Sequence, residues 1–142
     1  MRFMMLVKAS KESEAGAPPS RELLAAMGQF NEEMVKAGVL IAGDGLQPSS
    51  KGTRVTFSGS KRTFTDGPFA ETKELLAGFW MIDVKSKADA LAWASRVPFA
   101  DGEVIEVRQV FEAEDFPAEV FPPEEVAREE RLRDELQRRA KR

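Results

Sequence analysis

The chain of 142 residues contains no histidine, no cysteine and no tyrosine. Without histidine or cysteine it lacks the side chains of the usual zinc, copper, non-haem iron and haem sites. Ser-His-Asp triads, cysteine nucleophiles and disulfides are excluded for the same reason. Proton transfer would fall to aspartate, glutamate or lysine, and neither a metal nor another cofactor is expected.

The composition also offers no strong positive charge and no long apolar run. Net charge is -3 and the isoelectric point is about 5.2, which gives no basic footprint for nucleic acid or a membrane surface. The longest apolar run, Leu75 to Ile82, is far below the ~20 residues of a membrane-spanning helix. A cytoplasmic protein that binds neither nucleic acid nor membrane is therefore expected.

Apolar periodicity and turn signals predict seven segments. Ser20 is placed to cap a helix that stops at Gly38, and Ser86 caps a second helix that ends before Pro98. The predicted elements are, in order, strand Arg2–Ala9, helix Ser20–Gly38, strand Val39–Ala42, hairpin Thr53–Thr65, strand Leu75–Val84, helix Lys87–Val97 and strand Glu103–Phe111. The polar segment between the first strand and first helix is expected to be a loop.

This order is typical of a ferredoxin-like α+β sandwich, βαββαβ, with an inserted hairpin. In that fold the helices cover one face of the sheet. The strands Phe3–Val7 and Leu75–Ile82 are apolar at both parities, so the other face would carry Phe, Met, Leu or Trp side chains. We predict that a second copy covers this face, which makes the protein a homodimer with a dimeric α+β barrel.

The last part of the chain differs in composition. The division predicted from the sequence is a domain over residues 1–111 and an acidic linker with a charged helix over residues 112–142. Thirteen of the 19 residues from Glu124 to Arg142 are charged, with acids towards the start and bases towards the end. Either a solvated surface helix or a helix that contacts a partner fits this pattern.

Two of the three Asp-Gly pairs are candidate site residues. Asp101-Gly102 reads as a turn, whereas Asp44 and Asp66 each stand in an irregular segment that contains glycine and proline. Asp44 lies in GDGLQP and Asp66 in TDGPFAETKE. Both positions fit either a turn or a binding pocket.

The segment TDGPFAETKE is longer and more charged than a hairpin connection needs. Glu71, Lys73 and Glu74 beside Phe69 would form either a small pocket or an exposed salt-bridged loop. Arg108 is predicted to lie on the face of its strand opposite to Val107. It would either project onto the predicted dimer face and hold an acidic group of a ligand, or pair with Glu106 or Asp83.

These motifs resemble one known family. TDGPFAETKE followed by AGFW, the earlier FNEE, AGVL and GLQP segments, and EVRQV near the end are similar to YCII-related proteins of the DGPF type. The resemblance spans about Met1 to Phe111. It implies a ferredoxin-like fold that dimerises through its sheets, and a functional link to extracytoplasmic-function sigma factors.

The same resemblance bears on catalysis. Related proteins carry a histidine on the first helix, suggested to form an acid-base pair with an aspartate near the second strand. The matching helix position here is Met27, and a second position that is often histidine is Gln47. Met27 cannot transfer a proton, so the proposed pair is incomplete in this chain.

Three hypotheses about function follow. The first is a homodimeric module that binds an unknown small molecule between the GDGLQP and DGPFAETKE loops. The second is an isomerase or lyase that uses Asp44, Asp66 or Glu71 as a general base, with Lys73 or Arg108 stabilising an anion. The third is a module that contacts a sigma factor through the charged helix. The candidate ligand-binding residues are Asp44, Gln47, Asp66, Gly67, Pro68, Phe69, Glu71, Lys73 and Arg108.

Overall fold

A computed structural model of the protein describes residues 1–141, apart from the side chain of Lys73. The described chain divides into two compact units, Met1–Val110 and a second one that begins at Phe111. The strands are β1 (Arg2–Lys8), β2 (Leu40–Gly45), β3 (Thr53–Ser58), β4 (Lys61–Asp66), β5 (Leu76–Asp83) and β6 (Ile105–Gln109). The α-helices are α1 (Lys11–Glu14), α2 (Arg21–Lys36), α3 (Lys87–Ala94) and α4 (Pro123–Ala140).

The first unit contains a four-stranded antiparallel sheet in the order β2-β5-β1-β6. With α2 and α3 between its strands, this is the ferredoxin-like βαββαβ arrangement, so the predicted fold class is confirmed. Strands β3 and β4 pair with each other and form a separate two-stranded sheet. The predicted inserted hairpin is therefore present.

Local signals fix both long helices of this unit. The Ser20 hydroxyl accepts a hydrogen bond from the Leu23 amide at 3.0 Å, and Gly38 follows α2 in a left-handed conformation with φ 73°. The Ser86 hydroxyl caps α3 by accepting from the Asp89 amide at 3.1 Å. These are the caps that the sequence predicts.

Several predicted boundaries are wrong. Strand β2 runs to Gly45 rather than ending at Ala42, because Gly43, Asp44 and Gly45 pair with β5. Asp44 therefore stands in a strand and not in an irregular segment, and Asp66 likewise is the last residue of β4.

Helix α3 ends at Ala94 rather than Val97, because the amides of Arg96 and Val97 bond three residues back, to Trp93 and Ala94, as in tight turns. The last strand is shorter at both ends than Glu103–Phe111, since the Glu103 amide bonds to Ala100 in the preceding turn.

A further error concerns the segment between β1 and α2, which contains a short helix and is not loop throughout. Ser10 and Ser13 form a reciprocal capping box at its start: each hydroxyl accepts from the other residue's amide, at 3.1 and 2.8 Å. This pairing fixes one turn of helix in a polar segment that has no apolar periodicity.

The core lies between the sheet and the two helices. Trp80 on β5 is 4% exposed, packs edge-on against Phe30 of α2 with ring centroids 5.6 Å apart, and donates through Nε1 to Asn31 Oδ1 at 2.8 Å. A Cβ at Gly43 would lie 2.7 Å from Trp80 Cδ1, so glycine is needed there for the indole to lie over β2. The FNEE and AGFW motifs thus meet as packing partners.

The other face of the sheet, here called the outer face, carries Met4 and Leu6 on β1 beside Met81 and Phe79 on β5. The alternation of side chains along each strand sends these four away from buried Phe3, Met5, Trp80 and Ile82. All four are half-buried. This apolar strip is the face on which we predict a second copy.

The second unit has its own small cluster. The rings of Phe111, Phe116 and Phe121 stack in series with centroids 4.8 and 5.8 Å apart. Helix α4 begins at Pro123, a favourable first position for proline, and carries ion pairs one turn apart, Glu129–Arg133 and Glu135–Arg139. Arg128 also pairs with Glu125, at 3.5 Å.

In the part of the chain that the structure describes, none of the helices is both long enough and apolar enough to span a lipid bilayer.

Candidate functional site

Ser49 joins the two segments in which the candidate residues lie. It stands two residues after Gln47, and its hydroxyl accepts a hydrogen bond from the Phe69 amide at 3.1 Å. The Gly67 amide donates to the Gly52 carbonyl at 3.0 Å. The end of the GDGLQP loop and the start of the DGPFAETKE loop therefore pack together, and we call residues 47–52 and 66–72 the loop cluster.

The backbones in the loop cluster are in direct contact at Gly67. A Cβ on this residue would lie 1.8 Å from the Ser49 carbonyl oxygen and 2.7 Å from its carbonyl carbon. No side chain fits at such distances, so the close approach of the two loops requires glycine. The peptide bond between Gly67 and Pro68 is cis.

Glu14 supports the loop cluster from α1. Its carboxylate accepts from the Ser49 amide at 3.0 Å and also from the Ser49 hydroxyl. Because the same hydroxyl accepts from the Phe69 amide, a chain of hydrogen bonds runs from Glu14 through Ser49 to Phe69. All three residues are half-buried. Hydrogen bonds to a carboxylate are stronger in such surroundings than the same bonds exposed to water.

We expect Glu14→Ala to lower the free energy of unfolding by about 1.5 kcal/mol, because two hydrogen bonds to a carboxylate are lost. The exchange protection of the Phe69 amide should fall about tenfold, since the Ser49 hydroxyl loses its orienting partner. Denaturant unfolding and amide hydrogen exchange measure the two effects.

The matched control for this change is Glu14→Gln, which keeps an acceptor in the same place and should lose no more than about half as much stability. Equal stability of Glu14→Ala and the wild type would contradict the role assigned to Glu14.

Two further contacts fix the hairpin to the loop cluster. The Arg54 guanidinium lies 3.8 Å from the centroid of the Phe69 ring, a cation–π contact. Asp66 Oδ1 accepts from the Thr53 hydroxyl at 2.8 Å, where the two strands of the hairpin begin and end. Asp66 thus closes the base of the hairpin, and Phe69 is half-buried under Arg54.

The other acidic candidates are exposed. Asp44 lies within β2, opposite Phe79, on the outer face of the sheet. Glu71 precedes the turn Thr72–Glu74, and its carbonyl accepts from the Glu74 amide at 3.0 Å. Asp44, Asp66 and Glu71 are all exposed, as are Gln47 and Pro68.

Lys73, also a candidate, has a side chain that lies outside the described part of the structure. Among the described residues, no three Asp or Glu side chains come together in a way that could hold a metal ion.

Arg108 lies away from the loop cluster's side of the sheet. It pairs with Met4 in register and shares the outer face, and its Nε lies 3.6 Å from a carboxylate oxygen of Glu106, one of the two alternatives left open above. Because β6 and β2 are opposite edges of the sheet, three strand spacings of about 4.8 Å separate Arg108 from Asp44. One chain alone does not bring these two residues together.

The two positions where relatives carry histidine differ in environment. Met27 packs against the core from α2 and is half-buried, as its place in the apolar stripe predicts. Gln47 is exposed at the start of the loop cluster. The thioether of Met27 cannot transfer a proton, so this side chain does not replace the histidine of the relatives.

Sequence reasoning missed Glu14, Ser49 and Arg54. Glu14 and Ser49 are 35 residues apart in the chain, and no local pattern pairs them. The Ser10 and Ser13 capping box was the one available signal that this segment is structured.

The comparisons with known proteins identify the family. The sequence profile of the YCII-related domain matches residues 1–114, so the chain belongs to the YCII-related family and the resemblance above is confirmed. An uncharacterized protein of Rhizobium meliloti (strain 1021) is 42% identical over 60 residues, which cover 42% of this chain. The match spans 48%, about half, of that relative's length.

A solved structure is also similar to this chain. It is the 5-chloro-2-hydroxyhydroquinone dehydrochlorinase from Burkholderia phenoliruptrix AC1100 in complex with 2,5-dihydroxybenzoquinone. The identity is 12%, the TM-score is 0.40, and the alignment covers 80% of this chain and 98% of that chain.

Proposed function

We propose that this protein is a homodimeric module that binds a small molecule at the loop cluster. The observation that carries the proposal is the junction at Ser49, where the GDGLQP and DGPFAETKE loops are held together by the Phe69 amide and by close backbone contact at Gly67. A ligand at this place would meet backbone groups, the Arg54–Phe69 pair and the nearby carboxylates. Loops held rigidly by a sheet are common binding sites.

The dimer part of the proposal rests on the outer face. Met4, Leu6, Phe79 and Met81 form a continuous apolar strip on central strands β1 and β5. Charged residues on the edge strands, Asp44 on β2 and Glu106 and Arg108 on β6, flank the strip. An apolar centre with a polar rim is the composition of a protein–protein interface.

Binding is favoured over catalysis because a general base needs a partly dry environment within reach of the substrate. Asp44, Asp66 and Glu71 are all exposed in the chain. The isomerase or lyase alternative therefore lacks a supporting observation. A sigma-factor link and a cytoplasmic location stay predictions.

Ligand binding is tested by recording amide NMR spectra of the protein with amino acids, sugars and aromatic carboxylic acids, each at about 1 mM. We expect shifts confined to residues 45–52 and 66–72. Arg54→Ala should weaken the binding of any such ligand about tenfold, because it removes the group that covers Phe69.

The control variant is Arg96→Ala, which removes another arginine stacked on an aromatic ring, 4.2 Å above Trp93 on α3. It should leave ligand affinity unchanged. Ligands whose shifts lie elsewhere, or whose affinity is indifferent to Arg54→Ala, would contradict the proposed site.

A further inference from the structure

The hairpin β3–β4 has an exposed apolar face, on which the Arg62 guanidinium lies 4.4 Å from the centroid of the Phe57 ring. All twelve strand residues are exposed, and each strand pairs with the other alone. Val55 pairs with Phe64 and Phe57 pairs with Arg62, so these side chains share one face. Val55 is 44% exposed, and Phe57 and Phe64 are each 69% exposed.

A hairpin of this kind is not expected to be stable on its own. Two-stranded sheets are marginal in water unless they pack on a further strand or layer. The base is fixed by the Thr53–Asp66 hydrogen bond, but the aromatic residues lie further out, beyond that bond. Burial of the two phenylalanines against another surface would supply the missing stabilisation.

The charge of the hairpin indicates the surface it fits. Residues 53–66 hold three of the chain's 21 basic residues and one of its 24 acidic residues, Asp66 at the base. The remainder of the chain therefore carries 18 basic against 23 acidic residues. The basic hairpin is complementary in charge to the rest of a second copy of the same chain.

The position of the hairpin in the chain is consistent with such a partner. The hairpin follows strand β2 in the chain after a short connection. Strand β2 is at the edge of the four-stranded sheet, and the outer face of that sheet is the proposed dimer face. In a twofold dimer both hairpins make the same contact, so complementary surfaces on one chain are used twice.

We propose that the face formed by Val55, Phe57 and Phe64 docks on a second copy of this chain, so that each hairpin reaches across to its partner. The inference rests on the dimer of the proposed function and adds a second contact region outside the sheet. Since Asp66 joins the hairpin to the loop cluster, the docked partner lies next to the proposed binding site.

The test is the dimer dissociation constant of the full chain, measured by sedimentation velocity. Phe57→Thr with Phe64→Thr keeps a high strand propensity while removing both rings, and should raise the constant about thirtyfold. Thr56→Ser with Thr63→Ser alters the opposite face of the same hairpin and should leave it within about threefold. Lys51→Glu with Lys61→Glu should weaken the dimer. Added salt should weaken the wild-type dimer, in which opposite charges attract, and should strengthen the dimer of this variant, in which like charges repel.

A wild-type dissociation constant in the Phe57→Thr, Phe64→Thr variant would overturn this inference and leave the dimer through the outer face intact. A protein that is monomeric before any substitution would overturn both. Binding of single-stranded nucleic acid or anionic vesicles that requires Phe57 and Phe64, with an unchanged dimer, would also overturn it.

A second measurement does not depend on the folding of a variant core. Because the chain has no cysteine, Ser60→Cys at the hairpin turn gives one attachment point for a photo-crosslinker. In a mixture of 14N- and 15N-labelled protein, we expect crosslinks between light and heavy chains. Crosslinks within single chains only would contradict docking on the partner.

Discussion

Gly67→Ala is expected to lower the free energy of unfolding by about 3 kcal/mol. The added methyl group would lie 1.8 Å from the Ser49 carbonyl oxygen, less than any non-bonded contact allows. The Ser49 carbonyl is backbone and the methyl group is bonded directly to Cα, so neither can rotate away as the end of a flexible side chain would. The two loops must separate, and the hydrogen bond from the Gly67 amide to Gly52 is lost with them.

Denaturant unfolding of Gly67→Ala and Gly28→Ala measures this effect with a matched control. Gly28 lies inside α2 with nothing within 4 Å of an added Cβ, so the same substitution should stabilise the protein there, by about 1 kcal/mol. Opposite signs for the two variants are the expected result. Gly67→Ala with wild-type stability would mean that the loops do not meet as described.

Leu6→Lys is expected to raise the dimer dissociation constant by at least about a hundredfold, which corresponds to roughly 3 kcal/mol. Leu6 lies at the centre of the outer face, between Phe79 on β5 and Glu106 on β6. A lysine there would have to be buried in the dimer. In the monomer it remains near solvent and beside the Glu106 carboxylate, so the fold is preserved.

Leu24→Lys is the control for this substitution. Leu24 lies on helix α2 and is 58% exposed, so the same change of leucine to lysine falls outside the outer face. Sedimentation velocity should give a wild-type dissociation constant for Leu24→Lys and a monomer for Leu6→Lys. Equal behaviour of the two variants would exclude the outer face as the interface.

The elements that are predictable from the sequence depend on short-range physics. Each helix start depends on residues close together in the chain. The Ser20 and Ser86 hydroxyls accept hydrogen bonds from amides three residues further on, and Pro123 is itself the first residue of α4. The alternation in β6 places Arg108 on the opposite face from Val107. The strand order was implied by the element order together with the family resemblance.

The contacts that escape prediction are those between distant segments. Strands β1 and β5 are apolar on both faces, so the sequence alone does not reveal that Trp80 lies on the core face. Asn31, which accepts the hydrogen bond from the Trp80 indole, is 49 residues away in the chain. Likewise Glu14 reaches Ser49 from a segment that carries no apolar pattern. Such pairings are decided by packing of the whole unit, which local propensity does not contain.

The sequence predicts that the GDGLQP and DGPFAETKE loops lie together, and the two loops do pack against each other in the loop cluster. Asp66 is engaged by Thr53, Phe69 is covered by Arg54, and the loops meet through backbone. The two positions at which relatives carry histidine have different surroundings in this chain: Met27 packs against the core, and Gln47 is exposed at the start of the loop cluster. Neither position therefore offers an imidazole, and the packing of the two loops does not depend on one.

The mass of the wild-type protein in solution tests the central claim most directly, because the roles proposed for the outer face and for the hairpin both require a second copy. Sedimentation equilibrium at about 10 µM should give a particle of twice the 15.8 kDa of the chain. A single-chain mass that persists to about 1 mM would contradict the account.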